Sequence, residues 1–504
     1  MNIEISVYND PWMDNALENF YRILKDTGGC NVDLYSDKIV IRISSLPDFI
    51  EELSKKILEK RENLIVVERD KKTGIPKEVK KDYILIQEEK KIGGKVALKE
   101  DIYKPKKVYD VISQIFSTKG GSKRCILCGR SFDKSVKKLQ QASYPFVTKI
   151  ASLSGVRTYK DGQTLRLKEY YDNVCPFCYL IGILEWTDDG FVYRTFPGDE
   201  SLLFLPYFPD IKKLHEFKQM TLDSGILNPN ARYSNIRVSK GTEDIEATPG
   251  EYSTLLCFYE KFIENAADEI IANRWAIIHV PFGAVKNVKI DEISIEEGVI
   301  GIIKEVYERG EAINYIYSEL IKNIYFFSEN KKGVDWDITH EIVEELSKSF
   351  LLDDFRSFTN YMLPRKGGYV FFSSETRSGL KELIYVWRWK KMGVPKEKLE
   401  VIKRVGNIVA KVSKNNASLL YKMDKVRNVE EFWSVLREIS RKMPVIDEKT
   451  LAMTKPTALD DLIYLIKELN EHDKNAWEEI RDLVVIYASM YYSLEKMNKG
   501  GVEK

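Results

Sequence analysis

The sequence predicts an α+β protein: an N-terminal α/β region carries an inserted lobe pinned by four cysteines, and a mainly helical C-terminal domain follows. Three observations carry this expectation. Strand-like and helix-like segments alternate at the start. Two Cys-x-x-Cys pairs, Cys125/Cys128 and Cys175/Cys178, bracket 46 residues. Apolar residues at helical spacing dominate the end. The expected domains are 1–340, containing the lobe at about 119–180, and 341–504.

Ile3–Val7 reads as a strand. Asn9 or Asp10 can cap a helix whose first turn holds Pro11, where a missing N–H does no harm. Trp12, Ala16, Phe20 and Ile23/Leu24 give that helix its stripe, which ends near Gly28. Tyr35–Ile43 is a second strand, and Pro47–Lys60 a second helix with Phe49, Leu53 and Ile57 on one face. Strands such as Tyr83–Gln87 punctuate a Lys-rich stretch, and a helix spans Val108–Phe116. Asp188-Asp189-Gly190 suits a hairpin turn, with strands at Phe191–Phe196, Ser201–Tyr207 and Trp275–Pro281. From about residue 296 helices prevail, interrupted by the aromatic segment Gly367–Phe372. Leu459, Leu462/Ile463, Ile466 and Leu469 form one late stripe; Ile480, Val484, Tyr487, Tyr491 and Leu494 form another, one face of an amphipathic helix.

Each Cys-x-x-Cys places two thiolates on one short turn, and two such turns can close a tetrahedron around one Zn²⁺. The predicted ligands are therefore Cys125, Cys128, Cys175 and Cys178, acting as a staple for the inserted lobe. Cys175-Pro176-Phe177-Cys178 alone would also suit a redox pair, but a redox site leaves the other pair unexplained. Disulfides are the third option, disfavoured because no signal peptide is evident. Cys30 and Cys257 read as ordinary, partly buried thiols.

Hydrophobic residues make up 44% of the 504-residue chain and charged residues 31%, a globular composition. No apolar run approaches the roughly 20 residues of a membrane span, so a soluble, cytoplasmic protein is expected. The net charge of +1 excludes a uniformly basic nucleic-acid binder, yet 78 cations and 77 anions can be distributed unevenly. Lys119, Lys123, Arg124 and Arg130 flank the first knuckle; Arg157, Lys160 and Arg166 occupy the lobe near Gly155 and Gly162. Arg365, Lys366 and Arg377 surround the aromatic Gly-Gly segment. Tyr144, Phe146, Tyr159, Tyr170 and Tyr171 are interleaved with the lobe's cations. Cations for phosphates and rings for stacking are what a nucleic-acid surface uses, and these ten basic residues are the candidates.

Catalytic motifs are scarce: no Gly-x-Ser-x-Gly elbow, P-loop or dinucleotide fingerprint occurs. His472-Asp473 is more simply a break between helices than part of a metal-dependent hydrolase, because only three other histidines, His215, His279 and His340, exist. His279, in an apolar strand, reads as a satisfied core histidine. A non-enzyme is expected. A metal-dependent nuclease built from scattered acids and a zinc-stapled protein scaffold are the alternatives.

The opening Tyr8-Asn9-Asp10-Pro11-Trp12-Met13-Asp14-Asn15-Ala16, with Phe20 and Leu24, resembles the start of large subunits of type I CRISPR interference (Cascade) complexes. The paired knuckles, the second followed by Tyr179-Leu180-Ile181-Gly182, extend the resemblance, which is closest to the archaeal type I-A large subunit and covers mainly residues 1–210. It implies a non-catalytic antiviral-defence protein that contacts CRISPR RNA and recognises the motif beside the target (PAM) in double-stranded DNA. It also implies partners: the other interference subunits and the helicase–nuclease. Guide pairing would supply most sequence specificity, while the protein senses a few base pairs. In type I-A systems the small subunit is a separate chain, so the resemblance assigns no role to helices 340–497.

Overall fold

A computed structural model describes residues 1–60, 63–82, 89–92, 95–98, 105–117, 120–133, 159–160, 163–164, 173–190, 192–196, 200–227, 250–265, 270–281, 289–393, 395–414, 416–443, 457–471 and 473–500. The chain divides into two compact units, Met1–Glu246 with Asn265–Ser294, and Ala247–Glu264 with Ile295–Lys504. The architecture is α+β, with a helical C-terminal region.

In the first unit, β1 (Asn2–Ser6) leads into α1 (Pro11–Lys25), then β2 (Cys30–Leu34), β3 (Lys38–Ile43) and α2 (Leu46–Glu59). The strands form an antiparallel sheet in the order β1-β3-β2. Ile3, Ile5, Ile39 and Ile41 send alternate side chains into the core, as a half-buried sheet requires. The expected strand from Tyr35 begins only at Lys38. Residues 35–37 form the turn of a hairpin with β2, closed by Tyr35 N–H donating to Lys38 O at 2.9 Å. Gly29, at φ +78°, leads into β2, and a Cβ there would lie 2.7 Å from the Phe49 backbone nitrogen.

α1 is capped as its sequence requires: Asp10 accepts from Met13 N–H at 2.9 Å, with Pro11 in the first turn. Every residue from Trp12 to Phe20 is buried, the polar ones included, so this helix is central to its unit.

The unit continues through two-stranded ribbons β4 (Asn63–Arg69) with β5 (Pro76–Asp82) and β6 (Glu89–Ile92) with β7 (Lys95–Leu98), then α3 (Pro105–Ser117). The hairpins β8 (Lys123–Arg124) with β9 (Ser131–Phe132) and β10 (Tyr159–Lys160) with β11 (Gln163–Thr164) follow. After α4 (Pro176–Leu184) come β12 (Val192–Thr195), β13 (Glu200–Pro206), α5 (Ile211–Asp223), β14 (Arg274–Pro281) and β15 (Lys289–Ser294). The last four strands pair antiparallel in sequence order. The expected strand Tyr83–Gln87 lies outside the described residues. His279 on β14 is 7% exposed and satisfied on both ring nitrogens, by Glu200 and Asp291 at 3.0 Å each.

Asp188-Asp189-Gly190 does not turn a hairpin. The hairpin lies further on, between β12 and β13, because Asp188 is drawn into a buried charge cluster. Its carboxylate accepts from Gly190 N–H at 2.8 Å and from Arg22 and Lys218. Glu18 receives Arg22 Nε at 2.9 Å, Lys218 Nζ at 3.2 Å and His215 Nδ1 at 2.8 Å. Burial alone would raise both acids, but Lys218 and Arg22 hold Glu18 and Asp188 below the usual carboxylate range. Glu185 is also buried, 4.0 Å from Lys218, and desolvation pushes it well above its ordinary value. Two cations thus face two carboxylates.

The second unit contains α6 (Glu251–Asn265), α7 (Glu297–Arg309), β16 (Tyr325–Ser328), β17 (Gly333–Val334), α8 (Trp336–Leu351), α9 (Phe355–Tyr361), β18 (Gly368–Phe371), α10 (Ser374–Ile384), α11 (Lys396–Ser413), α12 (Ser418–Asp424), α13 (Val429–Lys442), α14 (Ala458–Asn470) and α15 (Ala476–Gly500). The expected late stripe is correct for Ile480, Val484 and Tyr487, but Leu483, Val485, Ile486, Ala488 and Met490 are fully buried too. α15 is therefore a core helix, and its partner α11 approaches so closely that a Cβ on Gly406 would lie 2.7 Å from Tyr487 Cβ. Trp387 is enclosed edge-on by Phe350, Phe355 and Phe358 at 4.9–5.2 Å and donates to Asp353 at 2.6 Å.

Buried acids in this unit serve as caps. Glu260 accepts from Tyr317 and Ser318 N–H and from the Ser318 hydroxyl, and burial lifts it to about 7. Glu344 accepts from Tyr252 N–H at 2.7 Å and Ser253 N–H at 3.2 Å, closing the start of α6. Asp473 lies between α14 and α15 and accepts from Asn475 N–H at 2.9 Å, in keeping with a helix break. His472 is outside the described residues. No described helix is long and apolar enough to cross a membrane.

Candidate metal centre

The first knuckle is the tip of the β8–β9 hairpin. Lys123 pairs with Phe132 and Arg124 with Ser131, which delivers Cys125 to the turn. Cys125 N–H donates to Arg130 O, and Gly129 N–H to Cys125 O, both at 2.9 Å. Gly129, at φ +70°, supplies the left-handed residue that this tight return needs. Cys128 thereby faces the same point as Cys125.

The second knuckle is the start of α4. Cys175 is its N-cap and Pro176 its first residue, so Cys178 lies one turn along on the same side. Cys178 N–H points at Cys175 Sγ, 3.4 Å away, and Cys175 N–H at Cys125 Sγ, 3.2 Å away. Backbone donors aimed at sulfur favour the thiolate form. Ile126 N–H donates to Asn173 O at 2.9 Å, joining the two knuckles directly.

All four sulfurs lie within 4.8 Å of one another, and Cys128 and Cys175 are 3.7 Å apart. A tetrahedron with metal–sulfur bonds of about 2.3 Å has edges of about 3.8 Å, so the spacing fits one ion. A disulfide would need about 2.05 Å, and all six cysteines are free thiols. Without a cation the four groups conflict. Burial pushes the Cys178 thiol well up, while hydrogen bonds from Cys128 and Cys175 hold Cys125 down. A divalent cation removes that conflict by stabilising every thiolate at once.

The centre is braced from α1 and the loop before it by residues with no place in the cysteine pattern. The Tyr8 phenol is 3.3 Å from Cys178 Sγ, close enough to donate to a metal-bound thiolate. Trp12 Nε1 donates to Gly182 O at 2.9 Å, and Asn19 Nδ2 to Leu184 O at 2.7 Å, so α1 holds α4 along its length. Asn15 Nδ2 donates to Pro206 O at 2.8 Å, tying in β13. Asp14 accepts from Tyr8 N–H at 2.6 Å, which positions the phenol; burial raises its carboxyl to about 7. Phe177 packs edge-on against Phe20 and Phe116. The signal for this brace was present in the sequence: two asparagines four residues apart inside an apolar stripe face a partner, not solvent.

Of the ten basic candidates, Lys123 and Arg124 lie exposed on β8 beside Cys125. Arg130 is engaged inside the fold: it donates to Glu4 O and lies 5.1 Å over the Phe177 ring, linking the first knuckle to β1 and to the second. Lys160 is on β10, while Lys119, Arg157 and Arg166 lie outside the described residues, as do Tyr144, Phe146, Tyr170 and Tyr171. In the second unit Arg365 and Lys366 form the turn before β18, and Arg377 is half-buried on α10. Arg365 pairs with Glu341 at 3.0 Å and covers the Tyr361 ring.

Comparison of the chain with family models, curated proteins and solved structures finds no match in any of the three.

Proposed function

We propose that this chain is a non-catalytic, zinc-stapled, nucleic-acid-binding protein, acting as the large subunit of a CRISPR RNA-guided interference complex. The observation that carries the reading is the four-thiolate centre locked to α1, with exposed Lys123 and Arg124 on the hairpin that supplies two of its ligands.

Four thiolates at tetrahedral spacing, with neither histidine nor carboxylate in the set, are the donor chemistry of a structural zinc site. Such a site has no open position for substrate. Its role would be to hold Cys125 and Cys175 together across the lobe and so to fix where Lys123 and Arg124 lie. Several buried carboxylates are engaged in the fold: Glu260 and Glu344 as caps, Glu18 and Asp188 as counter-ions. In this role base pairing with the guide identifies the target, while the protein grips backbones and senses a few adjacent base pairs. DNA, CRISPR RNA, the companion subunits and the helicase–nuclease are the partners this reading assigns.

Charge reversal of the hairpin tests the nucleic-acid half. Lys123→Glu with Arg124→Glu is expected to weaken duplex binding and to lower the slope of log affinity against log salt by about two, near one per lost phosphate contact. Anisotropy titrations between about 50 and 200 mM salt measure both. Unchanged affinity and slope would remove the hairpin from the interface.

A further inference from the structure

In the second unit β16, β17 and β18 form an antiparallel sheet in the order β17-β16-β18. Phe326, Ser328, Gly368 and Val370 face its buried side. By the two-residue period of a strand, Tyr325, Phe327, Tyr369 and Phe371 share the other face. Register sets Tyr325 opposite Phe371 and Phe327 opposite Tyr369. These rings form a continuous line. Trp336, the first residue of α8, stands edge-on 6.0 Å from Tyr325, Tyr325 lies 5.5 Å from Phe371, Phe371 6.2 Å from Phe327, and Phe327 5.5 Å from Tyr369. Tyr369 is buried, but Tyr325, Phe327 and Phe371 are half-buried and Trp336 is 57% exposed. Tryptophan is highly buried on average, so an uncovered one at the end of an aromatic line marks a surface awaiting a partner.

The turns at one end of the line carry Lys331, Lys332, Arg365 and Lys366. The turn of residues 329–332 and the turn of 365–367 lie side by side, joined by Glu329 N–H to Gly367 O at 2.9 Å. Lys332 holds a left-handed φ of +51°, a conformation costly for a side chain of this kind. Glu329 pairs with Lys496, Asp335 with Lys331 and Glu341 with Arg365. Lys332 and Lys366 are exposed and have no ion-pair partner among the described residues.

We propose that this sheet face is a stacking platform for single-stranded nucleic acid: Trp336, Tyr325, Phe371 and Phe327 receive bases, and Lys332 and Lys366 meet phosphates. Unpaired bases offer π-faces to such rings in any sequence, whereas the bases of a duplex are already stacked on each other. The two exposed lysines without an ion pair among the described residues, Lys332 and Lys366, suit a phosphate backbone. The inference rests on the nucleic-acid reading above, but it names a surface separate from the Lys123–Arg124 hairpin.

The test is an anisotropy titration of the full zinc-loaded chain with a labelled oligothymidylate and, separately, with a duplex. Trp336→Ala and Tyr325→Leu should each weaken oligothymidylate binding about tenfold, and Lys332→Glu with Lys366→Glu should weaken it and flatten its salt dependence. Duplex affinity should be unchanged in all three, and Trp336→Phe should restore most single-strand binding. The charge-reversal pair lies on exposed turns, so it retains the fold even if a ring variant does not. Variants that bind the oligonucleotide like the wild type overturn the platform. Wild-type protein that binds duplex but no single strand overturns the platform and leaves the broader reading standing. Binding of neither overturns both.

Discussion

Cys175→Ser is expected to abolish metal binding and to lower stability by at least about 4 kcal/mol, the range in which metal loss falls. For a unit of this size that corresponds to about 7 °C or more in Tm. Serine isolates the cause, because it is as good an N-cap as any residue and the start of α4 keeps its cap. What disappears is the fourth sulfur. The three remaining thiolates would then repel one another within a site whose partners Phe177, Cys178 and Tyr179 are buried. Metal analysis of the purified protein and a thermal melt measure the two effects. A full complement of metal with an unchanged melt would exclude a shared four-cysteine site.

Lys218→Met is expected to cost about 3–5 kcal/mol at neutral pH, because the side chain is fully buried and its removal leaves Arg22 alone against two buried carboxylates. Methionine has comparable length, so the loss reports charge and not a cavity. The pH dependence carries a sign. In the wild type Glu18 and Asp188 are held below their ordinary values, so their contribution is present above the unfolded carboxylate range and is lost only as pH falls through the depressed native values. Without Lys218 only Arg22 opposes burial, so both native values are expected to rise from their depressed positions. The variant then loses less on acidification than the wild type does, and its deficit should shrink as pH falls through the carboxylate range. Glu185→Gln is the control: burial pushes Glu185 up and its carboxyl oxygens accept no hydrogen bond, so an amide there should cost less than the loss of Lys218. A Lys218→Met melt equal to wild type at pH 7, or a deficit that grows on acidification, would contradict the two-against-two arrangement.

The cysteine centre was legible in the sequence because ligand spacing is a local property: each knuckle is built within four residues. Asp10 with Pro11 as a helix start was legible for the same reason. The errors arose where long-range partners decided the outcome. Nothing near Asp188 reveals that Arg22 and Lys218 will claim its carboxylate, so a turn motif was read where a buried ion cluster forms. Tyr35–Ile43 has strand composition throughout, but its first residues are turned by pairing with β2. α15 shows a clean stripe, yet the close approach permitted by Gly406 buries its other faces as well. Likewise the exchange of segment 247–264 into the second unit is a tertiary fact with no local signature. Within the site, the Asn15/Asn19 pair carries a signal but not a partner, because its acceptors lie some 165 residues or more away.

The most direct measurement is a selection of duplexes with randomised flanks, using full-length zinc-loaded protein assembled with guide RNA and its companion subunits. The expected result is enrichment of a few base pairs on one side of the guide-matched segment, with no cleavage by this chain. Flanks that remain random, or a chain that cuts DNA by itself with a divalent metal, would contradict a non-catalytic subunit that reads the sequence beside its target.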